Sequence, residues 1–205
     1  MPNFLTDGPA KAKITLVLAH GAGVAMDSPF MTAIAQGVAV NGVKVVRFEF
    51  PYMERRRANG KGGAPDQERI LLQAWRDTIA ELGGSTGLVI GGKSLGGRIA
   101  SIVADEAEVR GLVCLGYPFH PPGKPTGNRT KHLEFLHTPA LILQGTRDPF
   151  GSPGDVKRYR LSPKIRVEWI EDGDHSFRPR ASSGRNEADN LSLAITLVKD
   201  FIALL

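Results

Sequence analysis

The hydrophobic positions fall into short runs separated by polar stretches. Residues 14–19, 43–50, 87–90, 112–115, 140–143 and 165–170 are such runs, rich in aliphatic side chains, and they predict strands. Several are apolar without alternation, the pattern of a strand covered on both faces and therefore of a parallel sheet. Between them the period changes. From Asp66, an expected N-cap, the residues Ile70, Leu71, Ala74, Trp75, Thr78, Ile79 and Leu82 make one helical stripe. Leu191, Ala194, Ile195, Val198, Phe201, Ile202 and Leu205 make another, along an amphipathic C-terminal helix. Strand and helix alternating from end to end predict an α/β fold. It is a three-layer sandwich: a mainly parallel sheet of about six strands with helices on both faces and functional loops at the strands' carboxyl ends. Two long connections, 51–65 and 117–130, read as loops.

Composition narrows this further. A chain of 205 residues suits one domain, here 1–205, with no repeat, linker or low-complexity tract. With 41% hydrophobic and 23% charged residues it is not a disordered chain. The net charge of +5 suits an anionic ligand, but without a clustered basic footprint it does not indicate nucleic acid. The longest apolar runs are about six residues, far short of the roughly 20 that span a membrane. Residues 1–10 carry Asp7 and no apolar leader core, so a cytoplasmic location is expected. The single Cys114 lies in an apolar run, where a thiol is inert.

The strongest motif is Gly92-Lys93-Ser94-Leu95-Gly96, a G-x-S-x-G that follows a strand and opens a helix near Leu95. In that context it reads as a nucleophile elbow, with the serine on a strained turn and a helix N-terminus behind it. An ordinary glycine-rich turn would give the same letters, so the partners decide. A serine hydroxyl needs a base, and the base needs an orienting group. Asp148 follows the strand at 140–143 and His175 follows the strand at 165–170. Three residues in the order Ser94, Asp148, His175, on three strand ends, form a candidate Ser-His-Asp triad. Asp155 is the fallback acid. Asp172 and Asp174 read as turn formers. His120, His132 and His137 do not follow the last strand.

The first predicted strand ends in His20-Gly21-Ala22-Gly23. The backbone N–H of Leu95 and that of Ala22 are the candidate oxyanion donors, with Gly21 or Gly23 as alternatives to Ala22; His20 braces the loop. Residues 87–94 also satisfy the phosphate-loop pattern G-x-x-x-x-G-K-S. There, however, the residues between the glycines are the strand itself, so a nucleotide site is not expected.

These motifs together resemble the α/β-hydrolase superfamily. They are most similar to a small predicted-hydrolase family related to dienelactone hydrolases and to the hydrolase-like domain of testis-expressed and NSL-complex proteins. The resemblance runs through residues 20–23, 50–53, 91–98, 116–125, 144–151 and 172–175. It implies a minimal α/β-hydrolase fold without a cap, with nucleophile Ser94, acid Asp148 and base His175. The expected activity is that of a serine esterase cleaving a small ester through an acyl-enzyme, with no metal and no cofactor. The alternative is a non-catalytic interaction module of the same fold.

The 117–130 connection is too short for a lid, so the site should be open. Arg55, Arg56, Arg57, Lys61, Arg98 and His120 are candidate rim residues, and Arg147, Arg178 and Arg180 follow site motifs closely. An anionic ester would suit such a rim, because Arg binds carboxylate and phosphate bidentately; a solvated basic loop is the plainer explanation. The expected partner is a small-molecule ester, with neither nucleic acid nor membrane, and the chain is expected to act as a monomer or homodimer.

Overall fold

The computed structural model describes residues 3–40, 42–60, 63–124 and 129–205. Its strands are β1 (Phe4–Asp7), β2 (Thr15–Ala19), β3 (Lys44–Phe48), β4 (Leu88–Lys93), β5 (Gly111–Leu115), β6 (Ala140–Gly145) and β7 (Ile165–Ile170). The α-helices are α1 (Pro29–Ala39), α2 (Pro51–Asn59), α3 (Glu68–Glu81), α4 (Leu95–Val103), α5 (Pro153–Val156) and α6 (Glu187–Ala203). The seven strands form one sheet in the order β1-β3-β2-β4-β5-β6-β7. Every pairing is parallel except β1 with β3.

The unbroken apolar runs of the central strands have a direct cause. Val17, Ile90, Leu112, Cys114 and Ile142 point into one core, with Leu71 and Trp75 of α3 and Ile99 and Val103 of α4. Leu16, Leu18, Val89, Val113, Leu141 and Leu143 point into the other, under α1 and α6. Successive side chains on a strand face opposite ways, so a strand buried twice must be apolar at every position. The mainly parallel α/β sandwich expected from the sequence is this arrangement.

Three details differ from expectation. β1 is an extra strand, paired antiparallel from Phe4↔Phe48 to Asp7↔Val45. The connection after β3 is not loop throughout, since residues from Pro51 to Asn59 form α2, with proline in its first turn and Gly60 closing it at φ 65°. Asp66 does not cap α3; Gln67 occupies that position, and Asp66 instead accepts from Arg55. Lys61 lies outside the described residues, as does Pro125. Among the described residues no helix is long and apolar enough to cross a membrane.

Candidate active site

Parallel strands deliver the ends of β2, β4, β6 and β7 to one edge of the sheet, and the candidate residues lie there. Ser94 sits between β4 and α4 at φ 49°, ψ −113°, a conformation that a non-glycine residue holds only under constraint. Its N–H donates to Leu115 O at 3.0 Å, and its carbonyl accepts from Arg98 N at 2.9 Å, which starts α4. A Cβ on Gly96 would overlap the Ala19 carbonyl oxygen, so the first turn of α4 rests directly on the end of β2. That close approach explains the second glycine of the motif.

His175 Nε2 is 2.9 Å from Ser94 Oγ, and His175 Nδ1 is 2.7 Å from Asp148 Oδ2. An ionised carboxylate can only accept, so Nδ1 carries the proton toward Asp148 and Nε2 is left to accept from the serine hydroxyl. Asp148 is 1% exposed. Its other contacts are Gln144 Nε2 at 2.8 Å on Oδ2 and Phe150 N at 2.8 Å on Oδ1. The Phe150 ring lies 4.4 Å from the His175 ring, centroid to centroid. Ser94, His175 and Asp148 are thus brought into one hydrogen-bonded line. Asp155 stands elsewhere and forms a capping box with Ser152.

Leu95 is the first residue of α4, where backbone N–H groups have no partner within the helix. Gly21 stands beside the nucleophile; a Cβ on it would be 3.7 Å from Ser94 Cβ. Ala22 follows in the same turn, its carbonyl accepting from Tyr52 Oη at 3.1 Å. His20 is buried, and burial holds its pKa below the usual histidine value. Its Nδ1 donates to Gly21 O at 2.7 Å and its Nε2 accepts from Phe50 N at 3.1 Å. It ties the β2 and β3 loops together.

The remaining polar groups near the site are largely matched. Asp172, at φ 52°, receives Arg180 and Arg147 and its pKa falls to about 2, chiefly through the Arg180 hydrogen bond. Asp174 accepts from Ser176 N and Arg178 N, as a turn former does. His132 bonds Ser101 Oγ at 2.8 Å, and burial with the nearby Arg98 charge pushes its pKa down to about 4. Within the expected rim, Arg55 pairs with Asp66, Arg57 with both Asp27 and Glu49, and Arg98 with Glu68. His120 is buried rather than on an exposed rim, donating from Nδ1 to Pro121 O at 2.9 Å. Arg178 pairs with Glu187. Arg56 alone of the three consecutive arginines has no carboxylate partner among the described residues. No group of three His, Cys, Asp or Glu side chains that could hold a metal occurs among the described residues.

Two residues escaped the sequence reading. Gln144 joins Asp148 to Tyr117, and Lys93 reaches from the elbow to His175. The signal available was a polar side chain at the end of an apolar strand, with no indication of what it would meet.

The family model described as an alpha/beta hydrolase domain matches residues 12–203, and the chain belongs to that family. Its fold is also that of dienelactone hydrolase from Anabaena variabilis, at a TM-score of 0.73, 19% identity, and coverage of 98% of this chain and 90% of that one. A serine hydrolase homologue from Coxiella burnetii aligns at a TM-score of 0.70 and 20% identity, covering 96% and 89% of the two chains. A serine hydrolase without lid from Xanthomonas campestris aligns at 0.66 and 20%, covering 98% and 89%.

Proposed function

We propose that this protein is a serine hydrolase that cleaves a small carboxylic ester through an acyl-enzyme. The observation that carries this reading is the hydrogen-bonded line from Asp148 through His175 to Ser94, because it sets carboxylate, imidazole and hydroxyl in the order the chemistry requires. His175 Nε2 takes the proton as Ser94 Oγ attacks the ester carbonyl, forming the Oγ–C bond. The N–H groups of Leu95 and Ala22 receive the oxyanion, and the helix behind Leu95 adds its positive end. Collapse expels the alcohol, which takes the proton from His175. Water, activated by the same imidazole, then releases the acid and restores Ser94.

Asp148 holds the ring in the reactive tautomer by accepting from Nδ1, and its own carboxylate is held in place by Gln144 Nε2 and Phe150 N. With Arg55, Arg57 and Arg98 each in an ion pair, selection for an anionic ester would rest on Arg56, and a small uncharged acyl group fits the reading as well. Hydrolysis of p-nitrophenyl acetate, butyrate and succinate by the wild type and by Ser94→Ala tests the reading. Turnover that vanishes in the variant is expected. No turnover of any of the three by a folded wild type contradicts it.

A further inference from the structure

Lys93 ends β4 and immediately precedes Ser94, yet its side chain is 5% exposed. It passes beneath the loop that follows β7 and donates to the backbone carbonyl of His175. Nζ also lies 5.6 Å from the centroid of the Phe30 ring. Gly116, at φ 67°, leaves the necessary room: a Cβ there would stand 2.8 Å from His175 O, 2.9 Å from Lys93 Nζ and 3.2 Å from His175 Nδ1.

Burying an ammonium costs stability, and an apolar side chain of the same length would fill this space more cheaply. The charge must therefore do something other than pack. Asp148 and Asp174 are the acids facing it, and both favour its protonated form, but burial outweighs them and lowers its pKa to about 8. Neither acid is within hydrogen-bonding reach of it; the backbone of His175 is.

The loop bearing His175 has little regular structure of its own. It contains non-glycine residues at positive φ on either side, Asp172 at 52° and Phe177 at 67°. Among the described residues, the Lys93 contact is the only hydrogen bond to the His175 main chain. The imidazole has two torsions, so its ring can go no further astray than its Cα allows. A misplacement of about 1 Å at a reacting group costs on the order of 100-fold in rate.

We propose that Lys93 is a positioning residue: its buried ammonium holds the His175 main chain so that the imidazole stands between Ser94 and Asp148. This rests on the serine hydrolase reading above.

The test compares wild type, Lys93→Met, Lys93→Gln and Lys93→Arg, following the rate of fluorophosphonate labelling at Ser94 and the kcat and KM for p-nitrophenyl butyrate from pH 6 to 10. Lys93→Met should lower labelling and kcat by about 100-fold with KM changed by less than about 3-fold, since it disturbs the reacting geometry and not binding. Wild type should lose part of its rate above about pH 8, where the Lys93 amine keeps N–H donors but loses the charge that strengthens its bond to the His175 carbonyl, and Lys93→Met should lack that limb. Lys93→Arg, which keeps charge and donors, should recover at least about 10-fold of the loss. Should the Met variant fail to fold, the Gln variant and the wild-type alkaline limb carry the same prediction. A folded Met or Gln variant within about 3-fold of wild type overturns the proposal, and so does an unchanged alkaline limb in either. A wild type that never labels overturns both this proposal and the hydrolase reading, whereas a variant labelling like wild type overturns this one alone.

Discussion

The Gln144 side chain donates through Nε2 to Asp148 Oδ2 at 2.8 Å while its Oε1 accepts from Tyr117 N at 2.7 Å. One amide thus ties the acid loop after β6 to the loop after β5. Its remaining reach goes to Tyr117 O and Gly151 O. Replacing it with leucine keeps the volume, strands the buried Tyr117 N–H and leaves Asp148 Oδ2 with His175 Nδ1 as its donor. Gln144→Leu should cost about 1–3 kcal/mol of stability, read by urea denaturation. Its kcat should fall by roughly 10-fold, since Asp148 loses one of its fixed donors.

Asp148 has no route to solvent, so its role can be separated from its packing. Asp148→Asn preserves shape but offers His175 Nδ1 an amide in place of a carboxylate, which favours the wrong tautomer. The scale for losing the orienting carboxylate of such a triad is about 10⁴-fold in kcat, a figure established for a serine protease. The thermal midpoint should move little by comparison. A variant within about 10-fold of wild-type kcat would show that the ring is oriented by something else.

Arg57 carries two ion pairs, one of them to Glu49, which is buried beside Met26 N. Arg57→Ala should therefore act through the fold. The loss of a partner for a buried carboxylate is expected to lower stability by about 2 kcal/mol. The kcat/KM values for p-nitrophenyl butyrate and for its anionic succinate counterpart should fall by the same factor. A loss confined to the anionic ester would return Arg57 to the substrate rim.

Acid should weaken the fold in two windows. His132 is neutral in the folded protein, its pKa depressed to about 4 against 6.5, so its contribution is present above 6.5 and lost as pH falls toward 4. Asp172 is depressed to about 2 against 3.8, so its contribution is present above 3.8 and lost as pH falls toward 2. Thermal midpoints measured against pH should flatten in the first window for His132→Gln and in the second for Asp172→Asn. A His132→Gln curve parallel to wild type between 6.5 and 4 would contradict the first assignment.

What the sequence made legible follows from how locally each feature is encoded. The central strands could be read because burial on both faces demands an uninterrupted apolar run. Ser94, Asp148 and His175 could be read because each stands at the end of such a run. α2 was hidden: its residues Glu54, Arg55, Arg56 and Arg57 make no apolar stripe, and only Tyr52 and Met53 are buried. β1 is four residues long and half-buried, and it exists because β3 offers it an edge. Gln144 and Lys93 depend on partners 27 and 82 residues away in the chain, and no local pattern records that.

Activation of Ser94 by His175 is the step on which the proposed hydrolysis depends. Mass-spectrometric mapping of a fluorophosphonate adduct on wild type, Ser94→Ala and His175→Ala tests it most directly. A single adduct on Ser94 is expected, absent from the serine variant and reduced at least about 1000-fold in rate in the histidine variant. A folded wild type that forms no adduct, or one labelled equally fast without His175, would contradict it.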